Sequence, residues 1–132
     1  MSGLPILIVD DVPMQRELLS IQLRGLGLQS HAVDNGAAAL EALAHARYAL
    51  VLMDCRMPVM DGPQACRLLR TRELASGAAR TPVLGLSASI DPSEQALCLA
   101  AGMDACLFKP LARALLRAEL ERWLVLPLST PF

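Results

Sequence analysis

The sequence predicts an α/β domain: one five-stranded parallel sheet with helices on both faces. Two observations lead there. Five short apolar runs, at residues 4–9, 28–33, 49–53, 82–86 and 105–108, alternate with segments of helical character. Alternating strand and helix units require right-handed crossovers, which make a parallel sheet and cover both of its faces. In addition, four of the runs end at or beside chemically useful groups: Asp10-Asp11, Asp54, Ser87 and Lys109-Pro110. Beyond the carboxyl ends of the strands is where an open parallel sheet collects its functional side chains.

The elements follow in order. After the first strand, Pro13 sits where it can open a helix, and Met14, Leu18, Ile21 and Gly25 fall on one helical face. Gly25 and Gly27 stop that helix. Residues 28–33 have mixed polarity and read as an edge strand. Asp34-Asn35-Gly36 is a turn, and an Ala/Leu-rich helix runs from it to about Arg47. Residues 49–53 are apolar throughout and read as a central strand. Asp61-Gly62-Pro63 turns into a helix expected to run to about Arg72, and Ser76-Gly77 loosens the chain before the fourth strand. Asp91-Pro92-Ser93-Glu94 is a helix start, with proline at the first helical position and an acid three residues past the cap, the pattern of a capping box. Ala101-Gly102 ends that helix. The last strand, Ala105–Phe108, leads into a helix with Leu116, Leu120 and Leu124 on one stripe.

Bulk properties narrow the function. The chain of 132 residues suits one domain, expected over residues 1–124, with residues 125–132 as a tail or linker too proline-rich to be helical throughout. With 54% apolar residues it has ample material for a core. A net charge of −1 supplies no field to steer nucleic acid or a membrane surface, so neither is expected as a partner. No apolar stretch approaches a membrane span, and Met1-Ser2-Gly3-Leu4-Pro5 lacks the basic region of a signal peptide. A cytoplasmic location is expected. Cys55, Cys66, Cys98 and Cys106 show no CxxC spacing and read as buried free thiols. His31 and His45 have no ligand-spaced companion and read as surface or half-buried residues.

Three carboxylates, one hydroxyl and one ammonium at strand ends suit a magnesium ion and a phosphoryl group. Lys109 is the sole lysine among twelve basic residues. The decisive string is Met53-Asp54-Cys55-Arg56-Met57-Pro58-Val59-Met60-Asp61-Gly62. Together with Asp10-Asp11, Ser87-Ala88 and Lys109-Pro110, in that order, it resembles the response-regulator receiver domain of two-component signalling, from Leu4 to about Leu124. The wording of that string and Cys98-Leu99-Ala100-Ala101-Gly102-Met103-Asp104 is similar to receivers of hybrid sensor histidine kinases.

The resemblance implies a flavodoxin-like (βα)5 domain with strand order 2-1-3-4-5. It implies Asp54 as phospho-acceptor. Mg2+ would be held by Asp11, Asp54 and the backbone carbonyl of Arg56, with Asp10 acting through water; such an oxygen set suits that ion. Ser87 and Lys109 would each contact a phosphoryl oxygen, and small Ala88 would leave Ser87 room. A cis peptide is expected at Lys109-Pro110. The expected partners are a histidine kinase or a histidine phosphotransfer domain, with weak self-association through the last two helices. The domain would catalyse its own phosphorylation and dephosphorylation.

One departure from the family stands out. Where receivers place Tyr or Phe as an inward-turning switch ring, three residues before the lysine, this chain has Cys106, and Phe108 is expected on the opposite strand face. Switching would then rest on Ser87. Two other functions compete. A haloacid-dehalogenase-like phosphatase wants a second acid two residues past its nucleophile, where this chain has Arg56. A phosphorylation-independent pseudo-receiver normally lacks the acceptor or its acids, and none is missing here.

Overall fold

The computed structural model describes residues 3–124. The expected tail, residues 125–132, lies outside the described residues. The elements run β1 (Ile6–Val9), α1 (Pro13–Gly25), β2 (Ser30–Val33), α2 (Gly36–His45), β3 (Leu50–Asp54), α3 (Gly62–Ser76), β4 (Val83–Ser87), α4 (Pro92–Ala100), β5 (Ala105–Phe108) and α5 (Arg113–Leu124). All strand pairs are parallel, in the order β2-β1-β3-β4-β5. The architecture is the one expected, and the mixed-polarity strand β2 occupies an edge.

Strand alternation sorts the core into two layers. Leu7 and Val9 of β1, Val51 and Met53 of β3, and Val83 of β4 pack with Ala39, Leu40, Ala65, Cys66, Leu69 and Cys98 of α2, α3 and α4. Ile6, Ile8, Leu50, Leu52, Leu84, Leu86 and Leu107 point the other way, onto Leu19 and Leu23 of α1 and Leu116 and Leu120 of α5. Leu124 joins this layer at its margin, completing the expected α5 stripe. Strands buried on both faces have no polar side to show, hence their unbroken apolar runs.

Helix α1 differs from its expected pattern. The stripe of Met14, Leu18 and Ile21 faces solvent, at 79%, 49% and 50% exposure. The packed face is carried by Leu19 and Leu23 instead. The expected cap at Asp91 forms, its Oδ1 accepting from the Ser93 amide at 3.0 Å, and two of the expected turns also cap helices: Asn35 Oδ1 accepts from the Ala38 amide at 2.8 Å, and Asp61 Oδ1 from Gln64 at 2.9 Å. Helix α3 runs one turn past the expected end, to Ser76, and stops at Gly77 with φ +72°.

Candidate functional site

Four of the sequence-marked side chains converge at the carboxyl edge of the sheet. Asp10 follows β1, Asp54 ends β3 and Lys109 follows β5; Asp11 stands beside Asp10 in the β1–α1 loop. One carboxylate oxygen from each of Asp10, Asp11 and Asp54 lies within 4.8 Å of the others. Asp10 and Asp54 are buried and Asp11 is exposed. Lys109 Nζ reaches Asp10 Oδ2 at 3.0 Å and Asp54 Oδ2 at 3.2 Å. The Lys109-Pro110 peptide is cis, as expected.

The electrostatics are unbalanced by design of the group. One ammonium among three carboxylates leaves two negative charges uncompensated, the charge of one divalent cation. Burial pushes the Asp54 carboxyl up, Asp10 adds to this, and Lys109 opposes it. Burial works to lower Lys109, yet hydrogen bonding to Asp10 and the charge of Asp54 outweigh it and leave the ammonium above its usual range. Local bonds hold the geometry. Asp10 Oδ1 accepts from the Val12 amide at 2.9 Å, and the Arg16 guanidinium donates to the Asp10 carbonyl at 2.8 Å. The Arg56 backbone donates to Asp54. Gly62 is required beneath Asp54: a Cβ there would stand 2.4 Å from the Asp54 carbonyl oxygen. A hard, oxygen-seeking cation fits this set; a soft one does not.

Ser87 and Arg56 sit at the same edge but are engaged elsewhere. Ser87 Oγ donates to Glu94 Oε1, and Arg56 Nε donates to Glu94 Oε2 at 2.8 Å. Glu94 is 7% exposed. The Ser87 hydroxyl, opposed by burial and aided by Arg56, holds its carboxyl below the usual carboxylate range. Glu94 was legible in sequence only as the acid of a capping box. The helix start is as expected, with Asp91 as cap and Pro92 first, but Glu94 turns inward instead of reaching back to the Asp91 amide, which donates to Ser89 Oγ at 3.1 Å. A residue buried at a helix N-terminus leaves no pattern of its own in one sequence.

The expectation for Phe108 is also corrected. Residues two apart on a strand share a face. Ala105 and Leu107 lean on the α1–α5 layer and Cys106 on the other, so Phe108 at the strand end shares the side of Cys106. Its ring is 39% exposed.

Comparison with known proteins gives the class. The model of the response regulator receiver domain matches residues 6–121, and the chain belongs to that family. It is 39% identical over 115 residues to the sensor histidine kinase RcsC of Escherichia coli, covering 87% of this chain and 12% of that protein. It is 40% identical over 121 residues to the virulence sensor protein BvgS of Bordetella pertussis, covering 90% of this chain and 10% of that protein. The chain thus spans about a tenth of the length of these relatives. Among solved structures, the receiver domain of the sensor histidine kinase PA1611 from Pseudomonas aeruginosa PAO1 is 37% identical with a TM-score of 0.84, covering 95% of this chain and 100% of that one. That domain was crystallised with a magnesium ion coordinated in its active site cleft.

Proposed function

We propose that this receiver domain takes a phosphoryl group from a partner phosphohistidine onto Asp54, with Mg2+, and passes the signal on by altered contacts or onward transfer. The observation that carries the reading is the meeting of Asp10, Asp11 and Asp54 with Lys109 bonded to two of them. An Asp54 oxygen attacks phosphorus, the phosphorus–nitrogen bond breaks, and the imidazole leaves with the electron pair and takes up a proton. Asp11, Asp54 and the Arg56 carbonyl would hold Mg2+, with Asp10 through water. The ion would neutralise charge on the carboxylates and the transferring group. Lys109 balances a phosphoryl oxygen as charge shifts onto it. Ser87 reaches a second oxygen once it leaves Glu94.

The partner is a histidine kinase or a histidine phosphotransfer domain. The outward apolar stripe of α1, with Val12 43% exposed beside the acids, gives such a partner a surface next to the pocket. Leu97 and Leu99 of α4 and Leu115 of α5 are likewise exposed and suit weak self-association. Among the described residues no helix is long and apolar enough to cross a membrane. Incubation with acetyl phosphate and Mg2+ should add one phosphate, and Asp54→Asn should add none. Full labelling of the Asp54→Asn protein would overturn the assignment.

A further inference from the structure

Three thiols that phosphoryl transfer does not use meet just behind the acceptor. Cys55 follows Asp54 at the end of β3, Cys98 lies in α4 and Cys106 in β5. Their sulfurs all lie within 4.8 Å of one another, and those of Cys55 and Cys98 touch at 2.7 Å. Cys55 and Cys98 are 3% and 0% exposed, and Cys106 is half-buried. A fourth sulfur borders the group. Gly85 of β4 has no side chain, and a Cβ there would lie 2.6 Å from Met103 Sδ and 3.4 Å from Cys55 Sγ. Both sulfurs therefore share the space above Gly85. Nothing along the chain hints at this, because Cys55 stands 43 residues before Cys98 and the three meet only through the β3–β4–β5 order and the packing of α4.

We infer that Cys55, Cys98 and Cys106 form a binding site for a soft monovalent metal ion, Cu(I). Thiolate and thioether sulfur select such an ion over hard cations. A metal about 2.3 Å from each of three sulfurs in a trigonal plane needs sulfurs about 4 Å apart. The three sulfurs bracket that spacing, all within 4.8 Å of one another, and binding asks Cys55 and Cys98 to part by about 1.3 Å from their 2.7 Å contact. Structural zinc wants four strong ligands, and here the fourth neighbour is a thioether, which suits Cu(I) better. Binding involves no oxidation or reduction: each thiol that becomes a ligand loses its proton to solvent. Occupancy would tie α4 directly to β3 and β5.

The test uses the reduced protein under anaerobic conditions, with Cu(I) supplied as its bathocuproine disulfonate complex. The protein should withdraw one Cu(I) per chain and gain ultraviolet thiolate-to-metal absorption. Cys98→Ser and Cys106→Ser should each weaken retention by more than about tenfold, since even the loss of an outer contact to a ligand costs that much. Cys66→Ser, a buried thiol outside the cluster, should bind as the wild type does. Asp11→Ala should also bind normally, which separates this site from the carboxylate site and leaves the result independent of phosphoryl transfer. Circular dichroism identifies any variant that fails to fold; half-buried Cys106→Ser is the safer of the two. No withdrawal of Cu(I), undiminished binding by folded Cys106→Ser, or equal loss in Cys66→Ser would each overturn the inference, as would zinc displacing Cu(I) from the site.

Discussion

Glu94→Ala should make the domain easier to activate. In the resting arrangement the Ser87 hydroxyl is committed to the Glu94 carboxylate, which Arg56 holds from the other side. Before Ser87 can serve a phosphoryl oxygen, that bond has to break. A hydrogen bond to a charged acceptor is worth about 1.5–3 kcal/mol net. The Arg56 pair adds little, because the Arg56 side chain is 83% exposed and its attraction is screened. Removing the carboxylate does not orphan Ser87, whose hydroxyl still has the Ser89 carbonyl at 3.1 Å. The variant should therefore fold, and about 1.5 kcal/mol released from the resting state lowers the beryllofluoride concentration for half-response by about tenfold. Chemical shifts of Ser87 and Ser89 during a titration with beryllofluoride and Mg2+ provide the assay. In a Ser87→Ala background the same substitution should change little, because the bond it removes no longer exists. The carboxyl is held below its usual range, so the contribution of the bond is complete above the ordinary glutamate pKa and is lost only as pH falls through the depressed one. The advantage of Glu94→Ala should thus be constant between about pH 6 and 8. An unchanged or higher beryllofluoride requirement would refute the reasoning.

Three more predictions concern the pocket and the switch. Asp11→Ala should fold yet lose the stabilisation by Mg2+, which for the wild type reaches about 2.7 kcal/mol at a hundredfold excess over Kd; equal gains in thermal unfolding scans of both proteins would remove Asp11 from the metal site. Lys109→Arg should not be conservative, since a planar fork cannot take the place of a compact ammonium 3.0 Å from Asp10 and 3.2 Å from Asp54. That variant should accept phosphate but fail to shift partner affinity, and a normal shift in a binding titration would show the ammonium to be dispensable. Cys106→Ala should leave the response of the copper-free protein to beryllofluoride and Mg2+ nearly intact, while Ser87→Ala should reduce it; the reverse order would mean the thiol position drives the switch.

Much of the fold was legible because it rests on short-range regularities. Apolar runs, punctuated by Asn35-Gly36, Asp61-Gly62-Pro63 and Asp91-Pro92, mark five strand and helix units, and a parallel order needs both faces covered. Boundaries were less legible where burial continues past the apolar letters: β3 includes Asp54 and β4 includes Ser87. The face of α1 was misleading because its apolar positions divide between two sides of the helix, and Met14, Leu18 and Ile21 are the ones turned outward. Asp10, Asp11, Asp54 and Lys109 were legible because each sits at a strand end, where topology alone brings them together. Glu94 was not: its sequence context satisfies a helix start, and only the approach of α4 to β4 reveals its contact with Ser87.

The same contact would give the proposed transfer a route to the surface in a receiver without a switch ring. A thiol at Cys106 cannot sweep the volume of an aromatic side chain, and Phe108, although on that side of the strand, lies at its exposed end. Glu94 instead ties the first turn of α4 to Ser87 on β4 and to Arg56, two residues past Asp54. In the proposed transfer, movement of Ser87 toward a phosphoryl group on Asp54 would release that turn and leave a carboxylate with 7% exposure without its hydroxyl donor. Keeping a charge buried after losing such a donor is costly, so Glu94 has to seek water or follow Arg56 outward. Either course shifts the start of α4, the helix that carries exposed Leu97 and Leu99. A change of a few ångströms at one hydroxyl is thereby converted into a change of surface, through a charge that cannot stay where it was.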